Sequence, residues 1–457
     1  MEDLHAEDLD VRRIWDDAVE LLGRIGLKVE NGEILRRLGG RLPVEDGWVR
    51  FPPEMLADCA EELRRLAGTM PVPSRERGIV LANSSLNYFT LDPETDERKP
   101  YDYDTLVRHT KLACRLKDEG LLIGGATGYP LDAPPGLQLL IPTYLECVYN
   151  RQPRIHGVIH NAAQLRVLVE IAELFGLEAL LGTEPISPMR FAGDSVDIAY
   201  EQPDPGIYLG VDPMPILGIT APMDWHLGFA QSVAENVGSY LIYRLSGFEN
   251  VGFPSFRLFV PNLRAGMIYF SSPKHILALL ARRKVREFFG ASSDYAEMLL
   301  VTAKRPDAQA AAEKMAACLL ARTHGFRYLG GAGSLWLDSI FSPAQLLIDL
   351  EIARYVNAIE ADFTPPSADA VEVVRRGLEE GKGGFLADEM TLEGFEAFLW
   401  RPSLCDLSPP GDSRRATFLR RARELADAKA AAYDYELTGP RREELERIMD
   451  RARRELS

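Results

Sequence analysis

The sequence predicts an α/β chain, specifically a (β/α)8 TIM barrel with a helical N-terminal extension and C-terminal helices. Three observations carry this. From about Tyr101, short apolar runs alternate with stretches of helical periodicity, the pattern of parallel strands packed under helices. About seven such units fit into roughly 260 residues, the size of an eight-stranded barrel. No G-x-G-x-x-G follows an early strand, so the competing doubly wound sheet lacks its fingerprint.

Residues 1–84 are read as the extension. In "VRRIWDDAVELLGRIG", Val11, Ile14, Trp15, Ala18, Leu21 and Leu22 recur at helical spacing, and Gly23 and Gly26 close the run. "FPPEMLADCAEELRRLA" opens a second amphipathic helix on its prolines. The barrel is placed at 85–365. Its strands are read in "LLIGGATGYP" from Leu121, "IHGVIH" from Ile155, "GIYLGV" from Gly206 and "FRYLGG" from Phe326. Helices are expected over 136–150, 162–175, 223–246, 274–289, 306–324 and 342–360. Residues 366–457 form a C-terminal helical segment. Its charge-rich helices have thin apolar stripes, a type used on solvated faces and in subunit contacts, so a homo-oligomer is among the expected assemblies.

A net charge of −16 and a pI near 5.1 argue against a nucleic-acid partner. No apolar run has the length of a membrane span. The acidic start "MEDLHAEDLDVRRIWDD" lacks the pattern of a secretory signal, and the five cysteines are scattered without a C-x-x-C pair. A cytoplasmic protein with reduced thiols and no metal of its own is expected.

In a parallel barrel, chemistry gathers on the loops after the strands' C-terminal ends. "YLGVDPMPILGITAPMDWHLGFAQSVAEN" (Tyr208–Asn236) runs from a strand through such a loop into a helix, which puts Asp212, Trp225 and His226 at the expected pocket mouth. A turn-forming Asp212 and a packing Trp225 explain the same residues equally well. Aromatic residues recur at other strand ends: Tyr129, Phe253 and Phe256, Tyr328, and Trp336. Together with Tyr208 such rings suit a cage for a quaternary ammonium ion, and Glu184 or Asp212 adds Coulomb attraction. Rings that plug a barrel top are the plainer alternative. "LGGAGSL" (Leu329–Leu335) exposes backbone at Gly330, Gly331 and Gly333, which suits close approach of a ligand or a tight turn. His156 and His160 lie some 13 Å apart at strand spacing, too far to share a metal. No H-E-x-x-H, P-loop or G-x-S-x-G is present.

"TAKRPDAQAAAEK" (Thr302–Lys314), "PILGITAPMDWHLGFAQSVAEN" (Pro215–Asn236), "GGAGSL" with "SPAQLLIDLEIAR" (Ser342–Arg354), and "LDPETDERKP" (Leu91–Pro100) resemble the trimethylamine methyltransferase superfamily, in the same order and over nearly the whole chain. The resemblance implies a barrel that moves a methyl group from a methylated amine to the Co(I) of a corrinoid (cobalamin) carried by a separate protein. The founding members carry pyrrolysine, and none is written here, so the chain resembles the glycine-betaine type, whose substrates are quaternary amines. A quaternary ammonium releases a neutral amine, so positioning and electrostatics suffice for the displacement. On this resemblance Tyr129, Tyr208, Trp225, Phe256 and Tyr328 form the cage. Asp212 and Glu184 balance the cation, His226 or His324 orients the substrate's other end, and Gly330, Gly331 and Gly333 face the corrinoid. One departure stands out: in "FLADEMTLEGFEAFLWRP", Met390 occupies the place of the family's histidine. It motivates the alternative of a catalytically silent barrel that binds a quaternary amine. An acid–base lyase or hydrolase needs paired carboxylates or a metal at strand ends, and the sequence shows no such spacing.

Overall fold

The computed structural model describes residues 8–70, 78–201, 206–292, 295–359, 368–378, 384–386, 388–409 and 417–456. The helices fall where periodicity put them. Val11–Arg24, Pro53–Thr69, Ala162–Phe175, Trp225–Leu245, Pro273–Phe288, Ala308–Thr323 and Pro343–Asn357 are each a single helix. Six of these seven starts are capped by side chains that accept otherwise orphaned N–H groups, Asp10, Asn161, Asp224, Ser272, Asp307 and Ser342, while Pro53–Thr69 opens on prolines instead. The expected 136–150 helix divides into Pro135–Gln138 and Ile141–Tyr149, with Pro142 entering the first turn of the second.

The parallel strands form two arcs. In one, Tyr295–Ala296 pairs with Tyr328–Ala332, which pairs with Val80–Asn83, which pairs with Leu122–Ile123. In the other, Ala179–Thr183 pairs with Ile207–Val211, and single parallel bridges add His156 beside Leu180 and Val251 beside Leu209. The expected eight-stranded closure is therefore not shown by the pairing among the described residues, which gives an α/β chain with open, partly mixed sheets. The interruptions have a visible cause. Between the Leu122–Ile123 strand and His156, backbone carbonyls are taken by side chains: Asn150 donates to Gly124 and Lys117 to Gln152. Between Val251 and Tyr295, Arg286 donates to the carbonyl of Pro254 and Arg282 to that of Ser255, and Pro254 has no N–H to offer a neighbour.

The first parallel strand, Val80–Asn83, precedes the 84/85 cut, so the extension ends before it. The cut at 365/366 lies outside the described residues. The flanking helices are layers on the outside rather than separate bodies. Val11–Arg24 packs on Trp225–Leu245, Phe418–Ala431 on Tyr103–Asp118 and Pro343–Asn357, and Pro440–Leu456 on Ala162–Phe175. "LDPETDERKP" is a hairpin of Phe89–Leu91 with Arg98–Pro100. No described helix is long and apolar enough to cross a membrane.

Acids on the helices, three of them buried, grip the loops that leave the strands. Glu146 accepts the N–H of Ala126, and Glu235 accepts that of Met189 and the hydroxyl of Ser187. Glu313 accepts the N–H and hydroxyl of Thr302. Asp349 accepts the N–H of Gly333 at 2.7 Å while pairing with Lys314 at 2.7 Å, both side chains fully enclosed. Three of these acids lie within the sequence motifs that carry the family resemblance.

Candidate functional site

At the C-terminal ends of both arcs lies a cavity of about 660 Å³ whose wall includes Tyr129, Glu184, Arg257, Tyr295, Glu297 and Asp338. Arg257 enters it because the chain turns over at Phe256, whose φ of 54° is held by a hydrogen bond from its N–H to Asn236 Oδ1. Phe256 then points outward and stacks on Phe289 at 5.0 Å, while Arg257 points inward. Its guanidinium stands 3.0 Å from Asp212 and 3.0 Å from Glu297. Burial alone depresses its pKa, but the attraction of Asp212 and then Glu297 outweighs burial and holds it above the usual arginine value.

Four carboxylates (Asp212, Glu184, Glu297, Asp338) face two guanidiniums, Arg257 and the Arg282 behind it, which leaves two negative charges uncompensated. Burial raises the Glu184 carboxyl, and the charge of Asp212 raises it further. Asp338 is raised by burial and by Glu297. Phe259 and Phe270 supply apolar wall, and behind them His275 is buried with neither ring nitrogen hydrogen-bonded. Burial pushes its pKa down to about 4, so the ring is neutral near pH 7.

A second chamber of about 520 Å³ continues below the first and shares Asn83, Ser85, His156 and Tyr295 with it. Its charged residues are Lys117, Glu146 and Arg154. Lys117 donates to Asn150 Oδ1 and to the carbonyl of Gln152, both at 2.8 Å.

Of the residues expected at the site, Asp212 and Glu184 meet around Arg257, and Tyr129 lines the upper cavity with Tyr88 packed on it at 5.2 Å. Tyr328 lines the lower chamber. The others fall elsewhere. Tyr208 shares a strand face with Asp212 but sits about 13 Å below it, its hydroxyl against the backbone of Gly252. Trp225 packs on the hydrophobic core, and His226 Nε2 accepts the N–H of Asp10 at 3.2 Å, because the start of their helix is drawn to the N-terminal helix. Phe256 is a core residue. His324 caps the end of the Ala308–Thr323 helix, before the Tyr328–Ala332 strand begins, and Arg283 binds its carbonyl; it is at the opposite end of that strand from the cavity. Of Gly330, Gly331 and Gly333, Gly331 alone lines the upper cavity. The Tyr295 hydroxyl covers Gly330, and the N–H of Gly333 is taken by Asp349. Met390 is 44% exposed on the Glu389–Phe398 helix, outside both chambers.

Arg257, Glu297, Asp338, Tyr295 and Arg154 escaped sequence reasoning. Strand alternation held a signal for some of them. Tyr295 and Glu297 alternate with buried Ala296 and Met298, and Arg154 and His156 flank buried Ile155. No group of three metal-ligating side chains occurs among the described residues.

Trimethylamine methyltransferase MttB2 of Methanosarcina mazei is 35% identical over 116 residues, 25% of this chain and 23% of that protein, so the match spans about a quarter of the relative's length. Trimethylamine methyltransferase MttB of Desulfitobacterium hafniense is 21% identical over 408 residues, 84% of this chain and 80% of that protein. Among solved structures, the Methanosarcina barkeri monomethylamine methyltransferase aligns at a TM-score of 0.49 with 11% identity, over 99% of this chain and 88% of that one. The family model for trimethylamine methyltransferase (MTTB) matches residues 1–457, and the chain belongs to that family.

Proposed function

We propose that this chain transfers a methyl group from a small quaternary, betaine-like amine to the Co(I) of a corrinoid carried by a separate protein, and that it works in the cytoplasm. We further propose that its two parallel arcs are halves of one (β/α)8 barrel. The observation that carries the reading is the upper cavity. It is walled by rings, has two more carboxylates than guanidiniums, and lies at the strand ends where such folds place their chemistry. A quaternary ammonium gains both Coulomb attraction and ring-face contact there. The Arg257 ion pairs hold Asp212 and Glu297 in place before a ligand arrives, so little reorganisation is needed.

When bound, the corrinoid supplies the nucleophile, and the amine departs neutral with the electron pair of the broken C–N bond. Exposed apolar side chains on the loops beyond the strands, including Leu86, Val158, Ile186, Ile219 and Leu263, offer a surface that a large macrocycle and its carrier can cover. The chain's own part is to hold the ammonium, orient one methyl group outward and keep water from the reacting carbon. The test is spectral: the protein is mixed with free cobalamin reduced to Co(I) and a panel of betaines, carnitines and methylamines. Conversion to methyl-Co(III) with one compound supports the reading. Binding of a quaternary amine without conversion, with the cognate corrinoid protein also present, would replace it by the binding-only barrel.

A further inference from the structure

We infer that Arg154, in the lower chamber, binds the carboxylate of a zwitterionic substrate whose ammonium occupies the acidic cavity above. The inference rests on the methyl-transfer reading of that cavity, and it names the residue that selects a zwitterion over a simple cation.

The two chambers make one continuous space with opposite charge at its ends, joined at His156 and Tyr295. The upper end carries surplus carboxylates. The lower end carries two cations and one acid, and two of these three are already committed. Glu146 accepts the N–H of Ala126 and a donor of Asn150, and Lys117 spends hydrogen bonds on Asn150 and Gln152. Arg154 is different: among the described residues its guanidinium makes no hydrogen bond and no ion pair. Ile155 is buried against the helices, so strand alternation turns Arg154 and His156 to the same inner face. An unpaired planar fork inside a chamber suits bidentate binding of a carboxylate. The resulting orientation also serves the chemistry. With its carboxylate held low, the substrate presents its methylated nitrogen to the cavity mouth, the side from which a partner protein can approach.

Calorimetric binding of tetramethylammonium, choline, glycine betaine and γ-trimethylammoniobutyrate to the wild type, Arg154→Gln and Arg154→Lys tests this without methyl transfer. A carboxylated ligand should bind the wild type about 10- to 100-fold more tightly than choline. Arg154→Gln should abolish that advantage and leave choline unchanged, and Arg154→Lys should restore part of it. If the cations bind but the carboxylate confers no advantage, or Arg154→Gln leaves it intact, the anion subsite is wrong and the acidic cavity stands. If no ammonium compound binds, the reading of the cavity falls and this inference with it.

Discussion

Replacing Lys314 by Met should be among the most damaging single changes in this chain, although the residue touches no ligand. The ammonium lies 2.7 Å from Asp349 with both side chains wholly enclosed, and it also donates to the carbonyl of Gly331 at 3.3 Å. Removing it leaves a buried carboxylate unpaired, at a cost of about 3–5 kcal/mol. Asp349→Leu should cost a similar amount, since it strands the ammonium and orphans the N–H of Gly333. The double variant Lys314→Met/Asp349→Leu has no buried charge left to punish. It leaves the N–H of Gly333, an amide N–H of Gln345 and the carbonyl of Gly331 without these partners, neutral groups that each cost less than a stranded charge. Guanidinium unfolding of the four proteins should therefore give a double variant more stable than either single one. Burial already raises the Asp349 carboxyl, and loss of the ammonium raises it further, so the Lys314→Met penalty should shrink as pH falls and the acid becomes neutral. Additive single effects, or a Lys314→Met cost below about 1 kcal/mol, would refute the reasoning.

Further expectations can be checked on the same protein. Glu297→Gln should weaken tetramethylammonium binding about 3- to 10-fold in calorimetry, because it removes one negative charge and one partner of Arg257. Affinity for that cation should fall on acidification before the ordinary carboxylate range is reached, since Glu184 and Asp338 have raised pKa values and must be ionised to attract it; a profile that stays flat until that range contradicts this. His275 gives stability a pH dependence of its own. Its folded pKa of about 4 lies below that of a free imidazole, so its contribution is complete above about 6.5 and is lost as pH falls toward 4. His275→Phe, between Phe259 and Phe270, should flatten that part of the curve of melting temperature against pH, and an unchanged curve would show that the ring does not titrate on unfolding.

The helices were legible because a 3.6-residue period, a capping side chain and a following glycine agree at most of their ends, as in Asn161 to Gly176 around Ala162–Phe175. The Ile207–Val211 and Tyr328–Ala332 strands were legible as apolar runs of ordinary strand length. His156 and Val251 contribute single bridges, too short for any period to register. Asp212 and Glu184 were found because acids at strand ends are conspicuous. Arg257 is hidden by the reversal at Phe256: the left-handed φ exchanges which neighbour faces the cavity, so strand alternation points to the aromatic residue and away from the arginine. Trp225 and His226 were misplaced for a related reason, because the partner of His226 is Asp10, 216 residues away. No local pattern encodes a contact at that distance.

The grip of Glu146, Glu235, Glu313 and Asp349 on the loops has an evolutionary consequence. A loop held at its backbone from behind keeps its path whatever side chains it presents in front. Substitutions on the cavity wall can then be sampled one at a time, each altering which amine is welcomed, without first destabilising the frame. Drift in the four gripping acids has no such licence: losing one loosens a whole segment and every ligand contact on it. The chain thus separates the part of its inheritance free to explore new substrates from the part that must stay fixed.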